Sequence, residues 1–410
     1  MSSQPLRFIT AASLFDGHDA AINIMRRLIQ DRGVEVIHLG HNRSVDDVLN
    51  AAIQEDADAI CLSSYQGGHT EYFKYLIDRL KELDAQHIAV FGGGGGTITP
   101  EEIQALHDYG VERMQLGLEG MIDDVVARAQ VRRTEKALKS DSFNVEIART
   151  LSAIEDGSLN TDTLTKMRKQ WREQIQSPVL GITGTGGAGK SSLTDEILNR
   201  FSQYLPNLKV AVLAVDPTRR RTGGALLGDR IRMNSLRHKN LYMRSIATRR
   251  QHAATSAMLS DSIAFLKAGK FDLVIVETAG IGQSDSEIVD YVDLATYVMT
   301  SEFGAASQLE KIDMLDFADC IVINKFEKPG SSDALRDVRK QWRRNHNSFS
   351  IDDHDVPVFP TIASQFNDPG VNWLFTNLVQ CLSNKNTHFT DVANLEVQFE
   401  AITPKGSAII

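Results

Sequence analysis

One octapeptide limits what this chain can fold into more than any other feature. It is Gly184-Thr185-Gly186-Gly187-Ala188-Gly189-Lys190-Ser191, set between the apolar run Pro178 to Thr183 and a segment with helical spacing of Leu193, Ile197 and Leu198. Strand, glycine-rich loop and helix in that order form a phosphate cradle, because the backbone curls until successive N–H groups point inward beside the positive end of the helix dipole. Gly184, Gly186, Gly187, Ala188 and Gly189 are the backbone contacts this predicts, with Ser192 a further nucleotide contact. Lys190 is expected to reach the β- and γ-phosphates, and the Ser191 hydroxyl to ligate magnesium. The pattern requires an α/β fold.

The base follows from a second motif. Asn324-Lys325-Phe326-Glu327 comes directly after the apolar run Ala318 to Ile323 and resembles the guanine-reading Asn-Lys-x-Asp of GTPases. In that motif a carboxylate accepts hydrogen bonds from the guanine ring N–H and exocyclic amine, donors that adenine does not offer. Here the acid is Glu327, one methylene longer. Charge-assisted hydrogen bonds are worth roughly 1.5–3 kcal/mol each, enough for discrimination if both form. Thr361-Ile362-Ala363-Ser364 follows a strand-like run at Val356 to Pro360 and suits a backbone contact to the guanine oxygen through Ala363.

Between these motifs lie metal and switch elements. Ala211 to Val215 reads as a buried parallel strand that delivers Asp216, and the loop after it, with Arg219-Arg220-Arg221, Thr222-Gly223-Gly224 and Asp229, reads as a mobile switch. Phe271 to Val276 is a further strand leading into Glu277-Thr278-Ala279-Gly280. Most GTPases carry Asp-x-x-Gly there; Glu277 resembles the GTPase metallochaperones. Ser191, Asp216, Asp229 and Glu277 are the candidate magnesium ligands. Lys190, Glu277 and Gln283 are the candidate catalytic residues, with Gly280 sensing the γ-phosphate through its N–H and Gln283 or Asp285 positioning water.

The first third of the chain has a different rhythm. Apolar runs at 6–15, 34–39, 58–63, 87–92 and 111–115 alternate with amphipathic helices, which predicts a five-stranded, doubly wound, flavodoxin-like parallel sheet ahead of the GTPase α/β domain. Ligands of such sheets sit beyond the strand C-termini. The loops there read Asp16-Gly17-His18-Asp19-Ala20-Ala21, Ser63-Ser64-Tyr65-Gln66-Gly67-Gly68-His69 and Gly92 through Gly96.

Those loops resemble the cobalamin-binding domain of adenosylcobalamin-dependent mutases and corrinoid methyltransferases, whose pattern is Asp-x-His-x-x-Gly, then Ser-x-Leu, then Gly-Gly. The resemblance implies that His18 ligates cobalt from below, that Asp16 hydrogen-bonds that imidazole, and that Ser63, Gly92 and Gly93 receive the displaced nucleotide tail. An acid on the other ring nitrogen fixes the tautomer and makes the imidazole a better donor. Two positions depart from the pattern: Ala21 stands for its Gly and Tyr65 for its Leu, and both add side-chain volume near the tail. His38, His41, His69, His87 and His107 read as surface or loop residues, with His69 the best further candidate for a cofactor contact.

A cobalamin domain followed by a metallochaperone-like GTPase resembles the N-terminal part of the fused isobutyryl-CoA mutases, a likeness that runs through the whole chain and includes Glu302 to Asp313. In that branch Ala21 is the expected variant. The likeness implies an acyl-CoA carbon-skeleton mutase in which adenosylcobalamin supplies a radical by cobalt–carbon homolysis and GTP hydrolysis gates cofactor loading and protection. The 410 residues leave no room for the substrate barrel of about 250 residues, so an acyl-CoA mutase barrel domain or subunit is the expected partner, together with GTP and GDP, and a homodimer is expected. The alternative is a corrinoid carrier or cofactor-delivery GTPase serving methyl transfer. Such carriers usually begin with a helical cap, whereas here the first strand starts near Leu6.

Composition fits this reading. At about 100–200 residues per domain, the length suggests two or three domains, and 42% hydrophobic residues suffice for two cores. A net charge of −9 without a sustained basic patch argues against nucleic acid. Three cysteines without metal spacing, no signal-peptide core and no apolar window of membrane length lead to the expectation of a cytoplasmic protein. The expected boundaries are 1–130 for the cobalamin domain, 131–176 for a helical linker, 177–386 for the GTPase and 387–410 for a tail toward the barrel.

Overall fold

The computed structural model describes residues 5–18, 20–94, 97–114, 120–133, 142–217, 224–248, 252–278, 285–304, 309, 312–393 and 398–405. Two compact units emerge, Met1–Thr161 with Asp216–Ile231 and Met243–Met258, and Asp162–Val215 with Arg232–Tyr242 and Leu259–Ile410. Among the described residues no helix is long and apolar enough to cross a membrane.

In the first unit the elements run β1 (Arg7–Ser13), α1 (Ala20–Asp31), β2 (Glu35–Arg43), α2 (Val45–Gln54), β3 (Ala59–Ser63), α3 (His69–Glu82), β4 (Ala89–Gly93), α4 (Pro100–Tyr109), β5 (Arg113–Met114), α5 (Met121–Arg133) and α6 (Phe143–Glu155). Every residue of β1 is buried, as expected of a parallel strand covered on both faces. Ser44 and Thr99 open α2 and α4 with reciprocal capping boxes to Asp47 and Glu102, which satisfy backbone N–H groups that the first helical turn leaves without partners. One core gathers Ile9, Ile37, Leu49, Ile60, Phe73 and Val90.

The sheet order is β5-β4-β3-β1-β2, the flavodoxin-like arrangement expected from the five repeating units. It then gains a sixth strand. The chain continues through α7 (Thr161–Arg172), β6 (Val179–Gly184), α8 (Lys190–Tyr204) and β7 (Val210–Pro217), and then β8 (Ala225–Leu227) pairs in parallel with β2, Glu35 opposite Ala225 and Ile37 opposite Leu227. This corrects the reading of the whole segment after Asp216 as a mobile switch. Ala225 and Leu227 are buried in the first unit's core, so apolar burial holds them. Arg219, Arg220 and Arg221 lie outside the described residues.

A seven-stranded sheet adds β9 (Leu241–Thr248), β10 (Leu273–Thr278), β11 (Leu294–Met299), β12 (Cys320–Ile323) and β13 (Val358–Pro360), in the order β13-β12-β11-β6-β10-β7-β9, with β9 grouped with the first unit from Met243 onward. β6 is central, flanked by β10 and β11, so the loop at its C-terminal end is bordered by the loops that carry the other motifs. The linker helices divide: α6 belongs to the first unit, while all but the first residue of α7 belongs to the second.

Candidate functional site

The phosphate loop is built as its sequence requires. Gly184, at φ +144°, has no room for a side chain, since a Cβ there would lie 1.9 Å from the Val298 carbonyl oxygen on β11. Gly189, at φ +88°, caps α8 in a left-handed conformation, and a Cβ would meet Asn324 Nδ2 at 2.6 Å. Both positions therefore demand glycine, one for close approach of strands and one for backbone hand. Lys190 is buried, and its ammonium donates to the carbonyls of Gly184 and Thr185 at 3.0 and 3.1 Å.

Glu277 is the hub of the candidate metal side. At the end of β10 it is buried, and its two oxygens accept from Ser191 Oγ at 2.8 Å and from Thr194 Oγ1 at 2.9 Å. A carboxylate and a hydroxyl in contact at a helix N-terminus form an oxygen-rich donor set suited to a hard divalent cation. Thr194 was not singled out by sequence. Its only signal is its place one helical turn after Lys190, on the same face of α8. Asp216 is the penultimate residue of β7 and Asp229 opens a short 3-10 turn, Asp229–Arg232. Both belong to the first unit, whereas Ser191 and Glu277 belong to the second. Gly280 and Gln283 lie outside the described residues.

The base-reading motif is joined to the phosphate loop. Asn324 Nδ2 donates to the Ala188 carbonyl at 2.8 Å, while its Oδ1 accepts from Ala363 N at 3.1 Å and Thr361 Oγ1 at 3.0 Å. One side chain thus ties together the loops after β6, β12 and β13. Lys325 adopts φ +56°, a left-handed conformation that costs a residue with a Cβ about 1–2 kcal/mol. Glu327 is exposed in the turn that follows.

In the first unit, the three glycine- and histidine-bearing loops follow β1, β3 and β4, which are adjacent and parallel, with Ala12 opposite Ser63 and Ser63 opposite Gly93. Asp16 is buried. Its Oδ1 accepts from the His18 backbone N at 2.8 Å and lies 2.9 Å from His18 Nδ1, and its Oδ2 accepts from Tyr65 N at 2.6 Å. The His18 side chain is 75% exposed while that of Asp16 is fully buried. With Nδ1 turned to the acid, Nε2 is the nitrogen presented outward. Tyr65 packs beside the imidazole with ring centroids 5.5 Å apart.

These residues fit a cobalamin with its tail inserted. Ser63 Oγ is buried and has no hydrogen-bond partner among the described residues, a costly arrangement unless a ligand supplies one. A Cβ at Gly17 or Gly67 would meet nothing within 4 Å, so these loops border open space. Two expectations are corrected. His38 is a buried strand residue 2.9 Å from Thr10 Oγ1, and His69 is buried, with Nδ1 3.0 Å from the Gln66 carbonyl and Nε2 3.4 Å from Glu102. His69 is held by protein groups rather than set at a loop surface.

Comparison with known proteins agrees with both halves. Residues 147–386 match the family described as methylmalonyl Co-A mutase-associated GTPase MeaB, and residues 6–115 match the B12 binding domain. The chain is 51% identical over 416 residues to a fused isobutyryl-CoA mutase of Geobacillus kaustophilus, covering 95% of this chain and 38% of that one. It is 54% identical over 390 residues to the fused isobutyryl-CoA mutase of Cupriavidus metallidurans, covering 92% and 36%. The enzyme of the same description from Nocardia farcinica is 52% identical over 389 residues, again covering 92% and 36%. The chain therefore spans less than two-fifths of the length of these curated relatives.

Proposed function

Because the chain belongs to the family of methylmalonyl-CoA mutase-associated GTPases, with a B12 binding domain ahead of that region, we propose that it is the cobalamin-binding and GTP-hydrolysing chaperone portion of an adenosylcobalamin-dependent acyl-CoA carbon-skeleton mutase. The isobutyryl-CoA/n-butyryl-CoA type is the reading favoured by its fused relatives. The observation that carries it is the pair Asp16–His18: a buried acid 2.9 Å from one ring nitrogen of an exposed imidazole, at the C-terminal end of a parallel strand.

His18 would ligate cobalt through Nε2, with Asp16 fixing the ring and strengthening it as a donor. Ser63 Oγ would bond the nucleotide tail, and Gly92 and Gly93 would line its path. When bound, adenosylcobalamin supplies the radical that starts the carbon-skeleton rearrangement. The protein's share is to bind, orient and exclude water.

In the GTPase half, Lys190 would neutralise charge developing on the transferred phosphoryl group, and Ser191 with Glu277 would hold magnesium. Asn324, Lys325, Glu327 and the Ala363 N–H would grip the guanine. Hydrolysis would gate cofactor loading for a mutase barrel, present as a further domain or a separate subunit.

Three measurements test the reading. Equilibrium dialysis should find adenosylcobalamin bound, and phosphate release should find GTP turned over in the presence of magnesium. Mixed with a barrel subunit, the chain should isomerise isobutyryl-CoA; a chain that binds no cobalamin and hydrolyses no GTP would rule the proposal out.

A further inference from the structure

A pair of thiols lies apart from both ligand regions. Cys320, the first residue of β12, is fully buried, and Cys381 is partly exposed on the helix Pro369–Lys385. Both sulfurs are drawn to one acceptor, Asn377 Oδ1, Cys320 at 3.3 Å and Cys381 at 3.6 Å. Two elements distant in sequence thus bring their thiols to one side-chain oxygen, one thiol partly exposed and the other buried.

The two thiols differ in acidity. Interaction with Cys320 brings the Cys381 thiol down to about 7, with Lys385 helping against burial and Asp319. Cys320 is pushed the other way by its interaction with the neighbouring Cys381 and by burial. The remaining cysteine, Cys61 on β3, is pushed up to about 12 by burial. Reactivity toward electrophiles follows the thiolate and its access, so Cys381 is the nucleophile of the three.

We propose that Cys381 and Cys320 form a peroxide-responsive dithiol, a modification site that takes a hydroperoxide as its oxidant. The Cys381 thiolate attacks the terminal peroxide oxygen. The O–O bond breaks, an alcohol or water leaves carrying the former thiol proton, and Cys381 becomes a sulfenic acid. Cys320 sulfur then attacks Cys381 sulfur. Its thiol proton leaves with the hydroxyl as water, and the S–S bond closes. Two thiols are oxidised by two electrons in all and one peroxide is reduced. The disulfide would staple β12, the strand that leads to Asn324, to the helix Pro369–Lys385.

The test is oxidation of the purified full chain with equimolar hydrogen peroxide near neutral pH, followed by intact-mass and peptide mass spectrometry. The expected product has lost two hydrogens, contains a Cys320–Cys381 linked peptide, and returns to the starting mass with dithiothreitol. Cys320→Ser should leave Cys381 as a sulfenic acid captured by dimedone, and Cys381→Ser should leave Cys320 reduced. Alkylation of Cys381 by iodoacetamide should rise through a midpoint near pH 7, far below that of Cys61. Oxidation of Cys61 as fast as Cys381, or passage of wild-type Cys381 to a sulfinic acid without a cross-link, would overturn the proposal. Neither readout depends on the nucleotide or cobalamin assignments.

Discussion

Arg230 Nε lies 3.2 Å from Glu55 Oε1 with both side chains almost wholly buried, although 175 residues separate them in sequence. The pair belongs to a larger set inside the first unit. Arg7 reaches Glu35, Glu55 and Glu155 at 3.0, 3.0 and 2.8 Å, Arg244 reaches Glu155 at 2.8 Å, and Ser245 donates to Glu55 through N and Oγ. Segments that lie between the nucleotide motifs in sequence are thereby part of the cobalamin unit.

Removing one member of such a set leaves buried charge without its counter-charge, which costs about 3–5 kcal/mol. Glu55→Gln should therefore lower the unfolding free energy of the full chain, read from urea titration, by an amount in that range, and Arg230→Met should be partly non-additive with it. A fragment ending at Thr161 lacks β8, Arg230 and Ser245, and should lose most of its cooperative unfolding. Retention of full stability by Glu55→Gln would mean that the cluster is solvated in solution.

Lys190→Ala should reduce GTP turnover by roughly two to three orders of magnitude, the usual effect of deleting a cation aimed at transition-state charge. Magnesium-dependent phosphate release by the purified variant is the measurement. Near-normal turnover would exclude this loop as the catalytic phosphate site. The motivation is the burial of Lys190 inside the loop, bonded to Gly184 and Thr185.

The parts legible from sequence were those with local signals. Continuous apolar runs gave β1 to β4, β6, β7 and β10, and glycine spacing gave the phosphate loop, because these depend on neighbours within a few residues. β8 was missed because three residues, Ala225 to Leu227, carry no periodicity, and their partner β2 lies far earlier in the chain. Arg7, Glu35 and Glu55 carry no local signal of burial, since charged residues are mostly exposed. Only pairing in space makes their burial tolerable. Thr194 was likewise hidden, since only its place one turn after Lys190 marks the hydroxyl that meets Glu277.

Guanine preference should depend on Glu327. Glu327→Ala should weaken GTP by roughly 10- to 150-fold, corresponding to about 1.5–3 kcal/mol for one charge-assisted hydrogen bond, with little change in magnesium dependence. Competition of GTP against ATP is the readout, and Glu327→Asp should keep the preference. Equal affinity of the unaltered protein for the two nucleotides would refute the guanine reading, despite the bonds that join Asn324 to Ala188 and Ala363.

His18 offers the sharpest test of the first unit, because its prediction concerns a single atom. If Nε2 replaces the cofactor's own base beneath cobalt, cob(II)alamin bound to the chain should show one axial nitrogen by electron spin resonance, and nitrogen-15 labelling of histidine should change its superhyperfine splitting. His18→Ala should remove that change and weaken binding. Asp16→Asn should keep the protein nitrogen but make it a poorer donor, since the charged partner 2.9 Å from Nδ1 is gone. It should also disturb the loop, because Asp16 Oδ2 accepts from Tyr65 N. Ser63→Ala separates the two contributions: it should weaken affinity for cobalamin while leaving the nitrogen signature intact, since its buried hydroxyl has no partner to lose among the described residues. A spectrum unchanged by histidine labelling would show that the cofactor keeps its own base, and the exposed imidazole would then need another role.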